Sequence, residues 1–393
     1  MKIMFLTTSF PRFAKDHAGS FVYRFAKYLS EAAQNILVVA PGDESAPRVD
    51  QFGQVQVVRA QYFFPASAQK LCYGGGILSN MRHSRLAVMQ VPFLFLALSF
   101  KTARHIRGVD IVHCHWLPTV WAAKLGMLLC LAHKPIVFTN WGSDTRGLPA
   151  LLTRVTLRLC AAVVSTAAET DMHLRRAGFN NFSSIMAPVD EERFLIPADS
   201  TEEIRRELGL PLETPILSFV CRLDSFKDPL TFIEACGLLA ERKVKFVALL
   251  AGDGDLAEEC LKKIRERELQ NTCIPLGMRS DPERILAVST ATVHISPIEN
   301  TWANTIAEAM FSKCPVVLTR AGCTETTFTH NENCLLIPPG GAKELADAFQ
   351  MLIEDPPLRK QLVIGAERLL KEKGKSKAVI VEKMIEVYAS VLK

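Results

Sequence analysis

The chain has no G-x-G-x-x-G after its first strand-like run and no G-x-x-x-x-G-K-[ST] anywhere. A nicotinamide dehydrogenase and a P-loop nucleotidase each need such a phosphate-gripping loop, so neither class is supported. The eleven cysteines are scattered without a C-x-x-C pair. That argues against a paired disulfide framework and predicts thiols packed as small apolar residues in a reducing cytoplasm. No secretory leader is expected, because Lys2 is followed at once by IMFLTT, a strand-like run without a small-residue cleavage site. The longest apolar run, LAVMQVPFLFLALSF at 86–100, lies between Arg85 and Lys101 and contains Gln90 and Pro92. It falls short of the ~20 residues of a spanning helix and predicts a buried or interfacial one.

What is present is an ordinary globular composition, 49% apolar and 22% charged over 393 residues. That length suits two or three domains. Strand-like runs alternate with helical ones, which predicts an α/β fold with parallel sheets. The runs are KIMFLTT, NILVVAP, VQVVRAQ, VDIVHCHW, PIVFTNWG and AAVVST, then ILSFVCR, KFVALLAG, CIPLG, ATVHIS, CPVVLT and CLLIPP. Each set suffices for its own doubly wound sheet. The polar stretch 189–200 is the seam, so residues 1–195 and 196–375 are expected as two domains. A last helix over 376–393 is expected to pack back on the first. Residues 1–190 carry 20 Lys and Arg against 10 Asp and Glu, while 191–393 carry 26 against 31. Either surface chance or an anionic partner of the first half accounts for this.

The most informative stretch is 296–325, SPIENTWANTIAEAMFSKCPVVLTRAGCTE. A strand runs into a polar loop, then into a helix that begins near Asn304 and Thr305 and carries Glu308 one turn in. Ligands of open α/β sheets bind at such carboxyl ends, and a helix start offers N–H groups to phosphate. Arg222 and Lys227 follow another buried strand in ILSFVCRLDSFKDP. A guanidinium and an ammonium on one loop suit a diphosphate without a metal. In HCHW, His113 and His115 alternate with Cys114, so both rings point to one face. They read either as a buried hydrogen-bonded pair or as ligand contacts; further zinc ligands at suitable spacing do not stand out. TNWGSD at 139–144 forms the loop after the next strand. Gly19 precedes a helix in which Phe21, Phe25 and Tyr28 accompany Arg24 and Lys27. Such a helix reads either as a membrane-facing surface or as a core face. Gly252 lies in LLAGDGDL, a strand followed by a Gly-Asp-Gly turn.

In this order along nearly the whole chain, Gly19, HCHW, Gly142, Arg222 with Lys227, Gly252–Gly254 and Asn300…Glu308…Glu325 resemble the family 4 glycosyltransferases. These are retaining enzymes with two facing Rossmann-like domains, the GT-B fold. The resemblance implies that the second domain binds a nucleotide-diphosphate sugar and the first an acceptor. It implies that His115, and less so His113, meets the sugar, and that Arg222 and Lys227 neutralise the leaving diphosphate. Gly19 would approach the sugar and phosphates, and Gly277 would lie beside the base. Glu308 would grip the ribose hydroxyls, with Asn304 and Thr305 at the same helix start. Gly142 and Asp144 match the family's acceptor-side loop. The chain departs from the family pattern at Ala18, Trp141, Cys221 and Asn300, where glycine, histidine, glycine and glutamate are usual. Asn300 or its neighbour Glu299 would then face the sugar.

The implied function is metal-independent transfer, without a resident cofactor, from a nucleotide-diphosphate sugar to a glycan or lipid-linked acceptor. The implied setting is cytoplasmic polysaccharide or lipid-linked oligosaccharide assembly, peripheral to an anionic membrane, with no nucleic acid partner. Two alternatives stay open at this stage: a non-catalytic homologue that binds sugar nucleotide or glycan, and an epimerase of nucleotide sugars.

Overall fold

The computed structural model describes residues 1–393 other than 15, 17, 75, 142–148, 167, 297–301 and 323. The chain forms two compact units, Met1–Pro188 with Lys377–Lys393, and Val189–Ser376. The division falls at Pro188/Val189 rather than after 195 because the short helix Glu191–Phe194 packs within the second unit. There Phe194 is buried and Arg193 meets Glu283 at 2.6 Å.

In the first unit the strands are β1 (Lys2–Leu6), β2 (Asn35–Pro41), β3 (Val49–Phe52), β4 (Val55–Ala60), β5 (Ile111–His115), β6 (Ile136–Asn140), β7 (Ala162–Ser165) and β8 (Ser183–Ser184). They order as β3-β4-β2-β1-β5-β6-β7-β8. Every pairing is parallel except β3 with β4. Central strands of such a sheet are covered on both faces, which explains their unbroken apolar runs. Alternate residues go to opposite sides. Met4, Leu6, Val112, Cys114 and Phe138 pack with Ala87, Leu94, Leu98, Val120 and Leu157. Ile3, Phe5, Ile111 and Val137 pack with Val22, Phe25, Ile380, Met384 and Tyr388.

Two helices bear on readings left open by the sequence. The aromatic–basic helix Ser20–Glu31 turns Val22, Phe25, Tyr28 and Leu29 inward, and Lys27 lies 3.8 Å from Glu31. It is a core helix against the last helix, Lys377–Leu392, and lies across the sheet from the 86–100 run. That run, in turn, is part of a longer helix, Arg85–His105. It passes a length and composition test for a membrane span, and 33% of its apolar window is buried.

The second unit holds β9 (Ile216–Val220), β10 (Val247–Ala251), β11 (Cys273–Gly277), β12 (Ala291–His294), β13 (Val316–Thr319) and β14 (Leu335–Ile337), in the order β11-β10-β9-β12-β13-β14. All pairings are parallel. Counted from β9, this is the 3-2-1-4-5-6 order of a doubly wound nucleotide-binding sheet. The order reverses between β9 and β12, and in the first sheet between β1 and β5. In each sheet by itself, loops leaving these two strands diverge to opposite sides at the carboxyl edge, the place where ligands of such sheets bind.

Candidate functional site

In the first unit, His113 and His115 stand on the same face of β5, as their spacing of two predicts, with ring centroids 4.4 Å apart. Both are fully buried. His113 is saturated: Nδ1 meets Tyr388 Oη and Nε2 meets Thr139 Oγ1, each at 2.6 Å. Burial pushes its pKa down to about 3, so the ring is neutral. His115 differs. Trp141 donates its indole N–H to His115 Nδ1 at 3.2 Å. An indole nitrogen can only donate, so Nδ1 accepts and the neutral ring carries its proton on Nε2. That Nε2–H is buried and has no partner among the described residues. Burial, and then the nearby His113, hold the pKa of His115 well below its usual value. The result is one oriented, unspent donor in a low-dielectric wall of Phe5 and Phe25 rings.

The residue after it, Trp116, has φ 72° and ψ 139°. Side chains with a Cβ rarely enter this region, at a cost of ~1–3 kcal/mol. The strain aims the chain from β5 into the helix Leu117–Leu129. Gly19 has φ 62°, and a Cβ there would meet the carbonyl oxygen of Ser9 at 2.4 Å. Its lack of a side chain lets the loop after β1 cross itself at the start of helix Ser20–Glu31. Gly142 and Asp144 lie outside the described residues.

In the second unit, Arg222 and Lys227 follow β9 on a loop organised by Asp224. That carboxylate accepts the Lys227 backbone N–H at 2.9 Å and pairs with the Arg222 guanidinium at 3.2 Å. The Arg222 side chain is 72% exposed and therefore available to a ligand. Lys227 Nζ reaches His294 Nε2, at the end of β12, at 3.1 Å. Because an ammonium only donates, Nε2 accepts and His294 Nδ1–H faces Thr305 Oγ1 at 2.9 Å. A continuous chain of polar contacts thus joins the loop after β9, the end of β12 and the helix Asn304–Phe311. Glu308, half-buried one turn into that helix, lines a small cavity with His294 and Thr305. Asn304 is its first residue. Asn300 and Glu299 lie outside the described residues.

Glycines lock the neighbouring loops together. A Cβ on Gly252 would come within 1.8 Å of the Cys221 carbonyl oxygen, and one on Gly254 within 2.5 Å of that of Leu223. Gly252 N–H bonds the Gly277 carbonyl at 2.9 Å. Gly252 thus serves the approach of two loops, while Gly277, at φ 63° with open space about it, leaves room beside the loop. Asp253 accepts the N–H of Gly254 and caps its own turn. Among the described residues no cluster of three or more His, Cys, Asp or Glu could hold a metal ion.

His294, Asp224 and Tyr388 were not singled out from the sequence. A histidine closing the run ATVHIS was the available signal for the first. Tyr388 lies 275 positions from His113 and left no local trace.

Comparison with known proteins agrees with this geometry. Residues 18–193 match the family model described as Glycosyltransferase Family 4, and residues 200–369 match that of Glycosyl transferases group 1. A D-inositol 3-phosphate glycosyltransferase of Corynebacterium diphtheriae is 28% identical over 323 residues, 74% of this chain and 73% of its own. One from Corynebacterium glutamicum is 27% identical over 373 residues, 88% of this chain and 85% of its own. Among solved structures, a glycosyltransferase from Rickettsia africae superposes with a TM-score of 0.78 at 20% identity, covering 100% of this chain and 98% of its own. An Anabaena protein solved in complex with UDP and glucose gives 0.73 at 18%, covering 99% and 100%. Both sheets, the order of the motifs and the two matched segments lead to one assignment: the chain belongs to the family 4, or group 1, glycosyltransferases of GT-B fold.

Proposed function

We propose that this glycosyltransferase moves a sugar from a nucleotide-diphosphate donor to a glycan or lipid-linked acceptor with net retention. The observation that carries the reading is the polar chain Arg222–Asp224–Lys227–His294–Thr305 at the reversal point of a 3-2-1-4-5-6 sheet, with Glu308 beside it.

The chemistry follows from these groups. Arg222 and Lys227 take the charge that accumulates on the diphosphate as the bond from C1 to its oxygen breaks. Glu308 accepts from the ribose hydroxyls. Asn300 accepts from and donates to the transferred sugar, or Glu299 accepts from its hydroxyls, with Asn304 and Thr305 at the same helix start. Gly277 leaves space for the base. On the first unit, the Nε2–H of His115 donates to a sugar hydroxyl, and Trp141, Gly142 and Asp144 serve the acceptor. The acceptor oxygen bonds to C1 on the face the diphosphate leaves, and its proton passes to a diphosphate oxygen. No enzymic nucleophile and no resident metal enters this scheme. The related Anabaena complex makes UDP-sugars the first donors to test. The basic balance of the first half supports a setting at the cytoplasmic face of an anionic membrane, in polysaccharide or lipid-linked glycan assembly.

Donor screening by thermal shift, followed by product analysis in EDTA, tests this. Transfer or donor hydrolysis that survives EDTA, with the product's anomeric configuration matching the donor's, is expected. Donor binding without either activity, inversion, or a strict need for Mg²⁺ or Mn²⁺ overturns it.

A further inference from the structure

The helix Arg85–His105 is turned inside out. Its inward side buries Gln90, Ser99 and Thr102 together with Ala87, Leu94 and Leu98. Its outward side carries Met89, Phe93, Leu96 and Phe100, which are 64%, 48%, 42% and 59% exposed. These four are spaced four, three and four residues apart and form one stripe along the helix. A helix that faced water would place its polar residues there instead.

The inward polar groups are fully committed to protein. Gln90 donates to the Ala68 carbonyl at 2.6 Å and accepts from Lys70 N–H at 3.0 Å. Ser99 and Thr102 donate back into their own helix. Gly126 of the next helix, Leu117–Leu129, lies so close that a Cβ would meet the Ser99 carbonyl oxygen at 2.7 Å. One side of Arg85–His105 therefore belongs to the unit's core, which argues against a free-standing membrane span. The apolar exposure continues along its neighbours. Leu128 and Leu129 are exposed at the end of that next helix and Leu131 just after it, as are Leu151 and Leu152 on the helix Ala150–Arg158 beyond it. Trp121 bonds Thr156 at 2.9 Å and ties the last two helices together.

Charge says what covers this face. From position 51 to position 168 the chain contains two acidic residues, Asp110 and Asp144, against twelve Lys and Arg. Asp110 is spent on the backbone N–H of Lys2. Arg82, Arg85, Arg104 and Arg107 are exposed around the two ends of the stripe, and Arg158 ends the third helix. A second copy laid on this face would bring like charges together. An anionic bilayer instead offers phosphates to the cations and acyl chains to the stripe.

We propose that the helices Arg85–His105, Leu117–Leu129 and Ala150–Arg158 form a docking face for an anionic lipid bilayer. Met89, Phe93, Leu96 and Phe100 enter the headgroup–acyl boundary, and the flanking arginines meet lipid phosphates. This rests on the membrane setting proposed above and assigns it to one surface, on the sheet face opposite the helix Ser20–Glu31.

The test uses the full chain with vesicles of phosphatidylglycerol and phosphatidylethanolamine, and with phosphatidylcholine alone, at low and high salt. The parent is expected to sediment with the anionic vesicles at low salt and to be released several-fold by high salt. Phe93→Ser with Phe100→Ser, both at exposed positions, should cut partition at least ten-fold while leaving the unfolding midpoint within a few degrees. Arg85→Gln with Arg104→Gln should cut binding to anionic vesicles several-fold. A parent that stays in the supernatant at low salt overturns both this face and the membrane setting. A parent that binds while both double variants bind equally well overturns the face alone. A concentration-dependent dimer in light scattering, dissolved by the Phe93/Phe100 variant, would give the face to a second copy instead. Transfer to a water-soluble acceptor reports on the catalytic reading separately from all of these.

Discussion

Lys227 and His294 meet at 3.1 Å across the reversal point of the second sheet, one on the loop after β9 and the other at the end of β12. The histidine accepts from the ammonium and so fixes where the cation waits. A charge-assisted hydrogen bond contributes ~1.5–3 kcal/mol, which is roughly ten-fold or more in affinity. Arg222→Ala and Lys227→Ala should each weaken nucleoside diphosphate binding by that factor and leave the unphosphorylated nucleoside unchanged. His294→Ala should cost less than Lys227→Ala, and the double variant should be no worse than Lys227→Ala alone, as expected for residues acting as a unit. Calorimetric titration decides it, and strict additivity would remove His294 from the device.

Trp141 sets which nitrogen of His115 holds the proton. Trp141→Phe keeps the ring and deletes the donor. The imidazole can then move its proton to Nδ1 and lose the free Nε2–H. A fall in kcat of about ten-fold with donor KM within two-fold is expected, and His115→Ala should fall at least as far. A Trp141→Phe change confined to acceptor KM would make Trp141 a stacking surface instead.

His113 provides a pH signature. Its pKa is about 3 in the fold and ~6.5 in an unfolded chain. Between those values the unfolded state binds a proton that the folded state refuses. The stability held in this site is therefore complete above about pH 6.5 and drains away as pH falls toward 3, at up to ~1.4 kcal/mol per pH unit. Thermal unfolding of the parent should shift down between pH 7 and pH 5 more steeply than that of His113→Gln. Parallel shifts would show that the ring is not held neutral.

Glu308→Gln keeps the shape of the helix start and removes the anionic acceptor. A large loss of donor affinity is expected, extending to the free nucleotide. Asn300→Ala should lower affinity for the donor sugar while sparing the free nucleotide. If Glu299→Ala carries the sugar-specific loss instead, the register of that loop is one residue earlier.

The central strands could be read from sequence because a doubly covered strand is apolar on both sides, as in NILVVAP and ILSFV. The edge strand VDQF escaped because half of it meets water, and β8 escaped because it is two serines long. Arg222 and Lys227 were legible as cations stranded after a buried run. His294 was not, since one histidine at the end of a buried strand reads as core. Phe21, Phe25 and Tyr28 beside Arg24 and Lys27 suited a lipid face or a core face equally by spacing, and the helix turns out to be a core one. Periodicity identifies the apolar side of a helix but does not say what lies against it. At Arg85–His105 that ambiguity runs the other way, with the apolar stripe outside.

The last helix returns to complete the first unit, so the order of synthesis and the order of packing differ. A nascent chain that has delivered residues 1–188 has all eight strands of its first sheet but lacks Ile380, Met384 and Tyr388 from one core. His113 has no phenol to pair with until the entire second unit has emerged, on the order of ten seconds at usual elongation rates. Through that interval an apolar trough stays open on the face that later holds Tyr388. Losing the final seventeen residues should therefore damage the amino-terminal unit, far away in sequence, more than the unit the ribosome had just finished.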